Sequence, residues 1–230
     1  MVSFADRRVV VEDYNPQWVE EFNKLKSMYE KVIGNLVISI EHVGSTSVVG
    51  LAAKPTIDID IIIRPENFDA VKKGLASLGY IHNGDQGIKG REAFRLPNEL
   101  DFKRFRHNLY VCNEDAAELK RHLAYRDYLR THKEVMKKYG EVKKEAARLC
   151  DGDIIKYMDF KGEFVVKNVR DAMIWANIAP YPESKGCQEC GSETTYAEFQ
   201  MKYLGEGYKS EFFEITCGKC GNQWKQIINK

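Results

Sequence analysis

Two aspartates, one residue apart, interrupt a run of isoleucines in the stretch GSTSVVGLAAKPTIDIDIII, which spans residues 44–63. Side chains two residues apart on a strand point the same way, so Asp58 and Asp60 would share one face and alternate isoleucines the other. Neighbouring carboxylates repel each other unless a cation lies between them. Mg²⁺ is usually held by one or two carboxylates and by substrate phosphates, so the pair predicts a magnesium site. A solvated acidic face is the alternative, but Ile62 continues this face and indicates that it is covered.

A Gly-Ser pair precedes the aspartates by about a dozen residues. Gly44 allows the backbone to approach a ligand closely, and Ser45 begins a short helix whose free amide groups can bind an anion. Such a turn is common. Together with the aspartate strand, however, it predicts one cleft that binds both phosphate and a metal ion. A metal ion there would bridge the phosphates of a nucleotide and neutralise charge on the departing pyrophosphate.

The order of Gly-Ser, spacer and alternating aspartates resembles the motif of the polymerase-β-like nucleotidyltransferases. Three stretches resemble, more narrowly, the GrpB family, an uncharacterised branch of that superfamily. They are HVGSTSVVGLAAKPTIDIDI, HNLYV and YRDYLRTHKEVMKKYGEVKKEAA. The resemblance covers roughly residues 8–178.

The resemblance implies a set of catalytic and binding residues in this sequence. The implied catalytic core is Gly44, Ser45, Asp58 and Asp60, with Lys54 close to the phosphates. It also implies a third carboxylate on a later strand. Asp101, in the apolar frame of LDF, is the candidate, and a solvent-facing strand residue is an equal alternative.

Basic residues outnumber acidic ones between Lys89 and His107. Arginines on strands beside a phosphate cleft can grip a triphosphate in bidentate fashion, so Arg91 is a candidate ligand contact. A solvent-exposed face of the sheet is an equal alternative explanation for these basic residues. His107, at the start of a strand, is a candidate base or phosphate contact, with an ordinary hydrogen-bonded histidine as the alternative.

Four of the six cysteines form two CxxC pairs, CQECG and CGKCG, on either side of residues 191–216. Two such turns, each followed by glycine, place four thiolates for tetrahedral Zn²⁺. The predicted zinc ligands are Cys187, Cys190, Cys217 and Cys220. The segment is similar to the zinc ribbons of transcription elongation factors, and the ion's role would be structural because so short a segment cannot bury a sufficient core.

The whole chain carries 35 basic and 34 acidic residues, so its net charge of +1 creates no general attraction for a membrane or a polyanion. No apolar run is long enough for a signal peptide or a membrane span. We therefore expect a soluble, cytoplasmic protein. The ribbon also lacks the excess of basic residues that is typical of a strong nucleic-acid binder. Contact with a protein or weak contact with RNA are therefore both open as its role.

Apolar periodicity and turn residues predict the elements that position these groups. Helices are expected over residues 16–34, 68–78, 114–149 and 169–176, and strands over 36–43, 56–63, 92–96, 100–105 and 108–112. This order predicts an α+β protein with a nucleotidyltransferase-like mixed sheet, flanking helices and a small C-terminal β zinc ribbon. The prolines and glycine of NIAPYPESKG predict a boundary between a domain over residues 1–180 and the ribbon over 183–230.

These features favour a Mg²⁺-dependent nucleotidyltransferase that transfers a nucleoside monophosphate from a nucleoside triphosphate to an unidentified acceptor, with RNA and protein among the candidates. The alternative is an inactive domain of the same fold that binds nucleotide or RNA, with the zinc ribbon as its docking module.

Overall fold

The computed structural model describes residues 9–97, 106–176, 186–192, 195–205 and 208–227. The chain forms two compact units, Met1–Val165 and Val166–Lys230. The predicted domain boundary falls on residues 177–185, and the predicted strand over 100–105, with Asp101, falls on residues 98–105. Both segments lie outside the described residues, so these predictions stay open.

The first unit contains a five-stranded sheet in the order β1-β2-β5-β4-β3. The strands are β1 (Ser39–Val43), β2 (Ile57–Ile63), β3 (Ile81–His82), β4 (Arg91–Arg95) and β5 (His107–Asn113). Strands β2 and β5 run parallel, whereas the other neighbouring pairs are antiparallel. The predicted α+β class with a mixed sheet and flanking helices is therefore confirmed.

Five helices are described, namely α1 (Gln17–Ile33), α2 (Phe68–Ser77), α3 (Ala117–Thr131), α4 (Lys133–Leu149) and α5 (Ile154–Trp175). The single helix predicted over residues 114–149 is wrong, because the backbone leaves the helical region at His132, with φ −106° and ψ 76°. The last helix also begins earlier than predicted. The Asp153 carboxylate accepts the amide hydrogens of Ile155 and Lys156 and so caps its first turn.

The core lies between the isoleucine face of β2 and helices α1 and α2. Ile57, Ile59, Ile61 and Ile63 are at most 1% exposed. Burial of each such side chain contributes about 1.5–3 kcal/mol, which fixes the register of β2. On the opposite face, Ile62 packs against a second cluster that includes Cys112 and Leu119. The face that carries the aspartates is therefore covered beyond them, as its sequence indicated.

The second unit contains an antiparallel sheet of β6 (Thr195–Gly205), β7 (Tyr208–Cys217) and β8 (Gln223–Ile227). One CxxC turn precedes β6, and the other connects β7 with β8. In the described part of the chain, no helix combines the length and the apolar character needed to cross a membrane.

Candidate active site

The site begins at the turn between β1 and the short 3-10 helix Ser45–Ser47. Gly44 has φ +67°, a backbone conformation that favours glycine. A Cβ atom on Gly44 would also lie 2.1 Å from Asp58 Oδ2. The Ser47 hydroxyl donates to the Gly44 carbonyl at 2.6 Å and stabilises the turn. The Asp58 carboxylate therefore lies directly against the Gly-Ser turn.

Substitution Gly44→Ala is expected to lower the free energy of unfolding by about 2–5 kcal/mol, because it adds backbone strain and displaces Asp58. The matched control is Gly84→Ala, which has φ +73° but nothing within 4 Å of the added carbon. The control should lose only about 1–2 kcal/mol. Urea denaturation of both variants checks this, and equal losses would contradict the close contact with Asp58.

Strand register places the two aspartates on one face of the sheet. Asp58 lies beside Asn108 of β5, and Asp60 lies between Tyr110 of β5 and Glu41 of β1. Asp58 Oδ1 accepts a hydrogen bond from Asn108 Nδ2 at 2.7 Å. Burial raises the pKa of the Asp58 carboxyl above its ordinary value, against the effect of this hydrogen bond.

Asp60 is completely buried, and its Oδ1 atom has no hydrogen-bond partner among the described residues. An unpaired buried carboxylate oxygen is costly, and a cation would relieve that cost. The Asp58 carboxylate and the free oxygen of Asp60 thus offer the oxygen ligands that Mg²⁺ prefers.

His122 of α3 supplies a cation to the other oxygen of Asp60. Its Nδ1 lies 2.8 Å from Asp60 Oδ2, and its Nε2 lies 3.0 Å from Glu118 Oε1. Burial opposes a charge on the ring, but the hydrogen bonds to both carboxylates outweigh it and raise the pKa of His122 to about 9. The imidazolium therefore orients Asp60. Our sequence analysis missed His122, although its four-residue spacing from Glu118 and from Arg126 places all three on one helix face.

Two arginines of α3 hold the backbone on both sides of the Gly-Ser turn. Arg126 donates to Glu41 at 2.8 Å and to the His42 carbonyl at 3.3 Å. Arg130 donates to the Ser47 carbonyl at 2.9 Å. Asp127 contacts both guanidinium groups, at 2.8 and 3.3 Å. Helix α3 thus positions the turn as well as Asp60.

The other three predicted binding residues, Lys54, Arg91 and His107, lie in different surroundings. Burial lowers the pKa of the Lys54 ammonium group. The negative charge of Asp58 acts in the opposite direction but has a smaller effect. Arg91 is buried, lies 3.7 Å from Glu118 Oε1 and stacks over the Tyr110 ring at 4.3 Å. His107 lies beside Ile57 on the core-facing side, with Nε2 2.5 Å from the Tyr80 hydroxyl oxygen. Lys54 is therefore within electrostatic range of Asp58, whereas Arg91 is paired with Glu118 and His107 lies on the opposite face of the sheet.

The strand beside the aspartates presents Asn108 and Tyr110 at the positions next to Asp58 and Asp60. A third carboxylate on this face comes instead from β1, where Glu41 lies opposite Asp60. Arg126 holds its Oε2 atom. Asp101 lies outside the described residues, so the structure does not test it.

The four predicted zinc ligands come together in the second unit. Their sulfur atoms all lie within 4.8 Å of one another, and the Cys187–Cys220 and Cys190–Cys217 sulfur distances are both 3.6 Å. Tetrahedral zinc with bonds of about 2.3 Å requires sulfur separations of about 3.8 Å, so the four residues fit the ion. Backbone hydrogen bonds at Cys220 and Lys219 lower the pKa of Cys217 to about 6, which favours the thiolate that binds metal.

A helix-flanked mixed sheet with paired aspartates beside a Gly-Ser turn defines the first unit as an α+β domain, and a three-stranded sheet with four clustered cysteines follows it. The chain belongs to the GrpB family. The model of that family, described as "GrpB protein", matches residues 8–171. The match ends before the four cysteines.

Relatives of known sequence include the UPF0157 protein YqkA of Bacillus subtilis, 33% identical over 173 residues, which are 75% of this chain and 49% of that protein. The matched region thus spans about half of YqkA. The Glutamate-rich protein GrpB of Alkalihalophilus pseudofirmus is 32% identical over 169 residues, 72% of this chain and 96% of that protein.

Among solved structures, the conserved protein GrpB from Enterococcus faecalis is similar with a TM-score of 0.65 and 32% identity, over 73% of this chain and 99% of that one. A structure of Cid1 in complex with its short product ApU has a TM-score of 0.46 and 11% identity, over 86% of this chain and 59% of that one.

Proposed function

We propose that this protein is a Mg²⁺-dependent nucleotidyltransferase that transfers a nucleoside monophosphate from a nucleoside triphosphate to an acceptor not yet identified. The observation that carries the proposal is the contact of the Asp58 carboxylate with Gly44, which joins the cation ligands to the phosphate-binding turn. Asp58 and the unpartnered oxygen of Asp60 would hold the metal ion.

Asp58 and Asp60 would hold Mg²⁺, which would supply positive charge to offset the charge of the phosphates as the bond to pyrophosphate breaks. An acceptor oxygen forms the new bond to the α-phosphorus, and pyrophosphate leaves. The amide groups of the Ser45 turn and the Lys54 ammonium would hold the pyrophosphate portion. His122 keeps Asp60 in place, and Asn108 orients Asp58, so the protein acts by positioning and charge stabilisation.

The proposal predicts labelled product when the wild-type protein is incubated with each α-labelled triphosphate, Mg²⁺ or Mn²⁺ and a cell extract. Asp58→Asn should reduce labelling at least 100-fold, because a carboxamide removes the negative charge that holds the ion. Asp69→Asn, an exposed residue in the first turn of α2, is the control and should label as wild type does. Equal labelling by Asp58→Asn and wild type would refute the assignment.

A second candidate is a nucleotide- or RNA-binding adaptor without turnover. Two observations favour it, namely the absence of a carboxylate at Asn108 and Tyr110 beside the aspartates, and the ion pair of Asp60 with His122. Nucleotide binding without label transfer under every metal and extract condition would support this alternative over the transferase.

We also propose that Cys187, Cys190, Cys217 and Cys220 bind one structural Zn²⁺. The resulting ribbon would serve as a contact module for protein or RNA. Its four sulfur atoms support zinc over Mg²⁺, because soft thiolate ligands favour zinc.

A further inference from the structure

A cavity of about 450 Å³ lies between α1 and the Gly-Ser turn, and neither aspartate of the candidate active site lines it. His42, which does line it, pairs with Ile59 and so has its side chain on the core-facing side of the sheet. Ligand sites usually have volumes of roughly 300–1,000 Å³ and apolar walls with a few polar groups. The walls of this cavity include the apolar residues Val19, Phe22 and Val49 and the polar residues His42, Ser47 and Arg130.

The three polar wall residues also hold the Gly-Ser turn. The Ser47 hydroxyl donates to the Gly44 carbonyl, and the Ser47 carbonyl accepts from Arg130 Nη2 at 2.9 Å. His42 Nε2 lies 3.0 Å from the hydroxyl oxygen of Thr46. A molecule bound in the cavity would therefore contact the groups that set the conformation of the turn.

Hydrogen bonding determines which nitrogen of His42 carries the proton. The Thr46 hydroxyl donates its only hydrogen to the Thr56 carbonyl at 3.1 Å, so it must accept from His42 Nε2. Burial lowers the pKa of His42 to about 4, so the ring is neutral at physiological pH. The Nδ1 atom then carries a lone pair, and it has no hydrogen-bond partner among the described residues. His42 thus offers a hydrogen-bond acceptor at the cavity wall.

The rest of the wall favours a flat and neutral ligand. The rings of Phe22 and His42 stack with their centroids 4.7 Å apart and their planes inclined by 11°, and two valines extend this apolar surface. The planar guanidinium of Arg130 can stack on an aromatic ring. Asp127 lies 3.3 Å from Arg130 Nη1 and compensates its charge, so the cavity does not require an anion.

We propose that this cavity is an effector site, which binds a neutral aromatic molecule that donates an N–H or O–H hydrogen bond to His42 Nδ1. Binding at this site requires neither metal nor turnover. A ligand that contacts His42 and Ser47 stabilises the turn in the conformation that holds Gly44 against Asp58. The ligand is therefore expected to strengthen cation binding at the aspartates, and this consequence rests on the proposed function.

The test titrates indole and benzofuran into the isotope-labelled full chain and follows the backbone amide shifts by NMR. The two probes have nearly the same shape, but only indole has an N–H donor. Wild type is expected to bind indole with a dissociation constant on the order of millimolar or below, and at least about fivefold more tightly than benzofuran. Amide shifts should change in α1 and over residues 44–49. No indole binding, or equal affinity for the two probes, would overturn the proposal.

Two variants locate the site. Val49 is 70% exposed at the cavity wall, so Val49→Trp can obstruct the cavity without overpacking the core, and it should weaken indole binding by about tenfold. Ile38→Trp adds the same ring at a half-exposed position outside the cavity and should bind indole as wild type does. His42→Phe retains an aromatic ring but lacks the acceptor, so it should lose the preference for indole over benzofuran. Undiminished indole binding in Val49→Trp would refute the assigned location.

The effector role has a separate readout. The affinity for Mn²⁺, measured by electron paramagnetic resonance, should rise by about threefold or more when indole is saturating. An unchanged Mn²⁺ affinity would refute the effector role. A wild type that binds indole but no Mn²⁺ would refute the metal site of the proposed function and leave the aromatic site intact.

Discussion

The variant Cys217→Ser is expected to lose zinc and to unfold the sheet of β6, β7 and β8. Four sulfur atoms within 4.8 Å of one another form a complete ligand set, and three ligands hold structural zinc far less tightly. Zinc binding supplies about 10–16 kcal/mol of apparent folding free energy in zinc-finger peptides, so a unit this small depends on it. Elemental analysis should give one zinc per wild-type chain and less than a tenth of that in the variant. Hydrogen exchange over residues 208–227 should rise to the rate of an unfolded segment.

Cys150→Ser provides the matched control, because Cys150 is a buried thiol of the first unit that packs beside Ala146 and Tyr157. It should retain one zinc per chain and normal exchange in the ribbon. Well-folded wild-type protein without zinc would contradict the site. So would full zinc occupancy in Cys217→Ser.

The aspartate pair could be predicted from sequence because its determinants are local. The period of two along a strand places Asp58 and Asp60 on one face, and the buried isoleucines allow only one orientation of that strand. The link to the Gly-Ser turn was also predictable, since β1 and β2 are neighbours in both sequence and space. Short-range sequence patterns were therefore enough to identify the aspartate pair and the Gly-Ser turn as the centre of the candidate site.

The residues that complete the site could not be predicted in the same way. His122 reaches Asp60, and Arg126 reaches Glu41, only because α3 packs across the sheet. These contacts join residues more than 60 positions apart, so no short-range periodicity reports them. The break at His132, which sets the direction of α4, has neither proline nor glycine to mark it.

Proximity in sequence was misleading for Arg91 and His107. Pairing of β5 with β2 sets His107 beside Ile57, one residue out of phase with the aspartates, and a shift of one residue moves a side chain to the opposite face. Arg91 does lie on the aspartate side, but Glu118 of α3 is its partner there. The sequence showed that these strands are basic. It did not show which acidic side chains would pack against them in the folded protein.

The free energy of unfolding is expected to fall by about 3 kcal/mol between pH 6.5 and pH 9 through His122 alone. The folded protein binds this proton more tightly than the unfolded chain does, because Asp60 and Glu118 both contact the imidazolium. The contribution is therefore fully present below pH 6.5 and is lost as the pH rises through about 9. Loss of the proton would leave the buried Asp60 carboxylate without its cation.

Urea denaturation at several pH values, with divalent metals removed, measures this effect in wild-type protein and in His122→Gln. Other groups also titrate in this range, so the informative quantity is the difference between the two pH profiles. Wild type should be the more stable protein at pH 6.5, and its advantage should shrink by about 3 kcal/mol by pH 9. Parallel profiles would show that the proton on His122 does not stabilise the fold, and the imidazolium could then not be what orients Asp60.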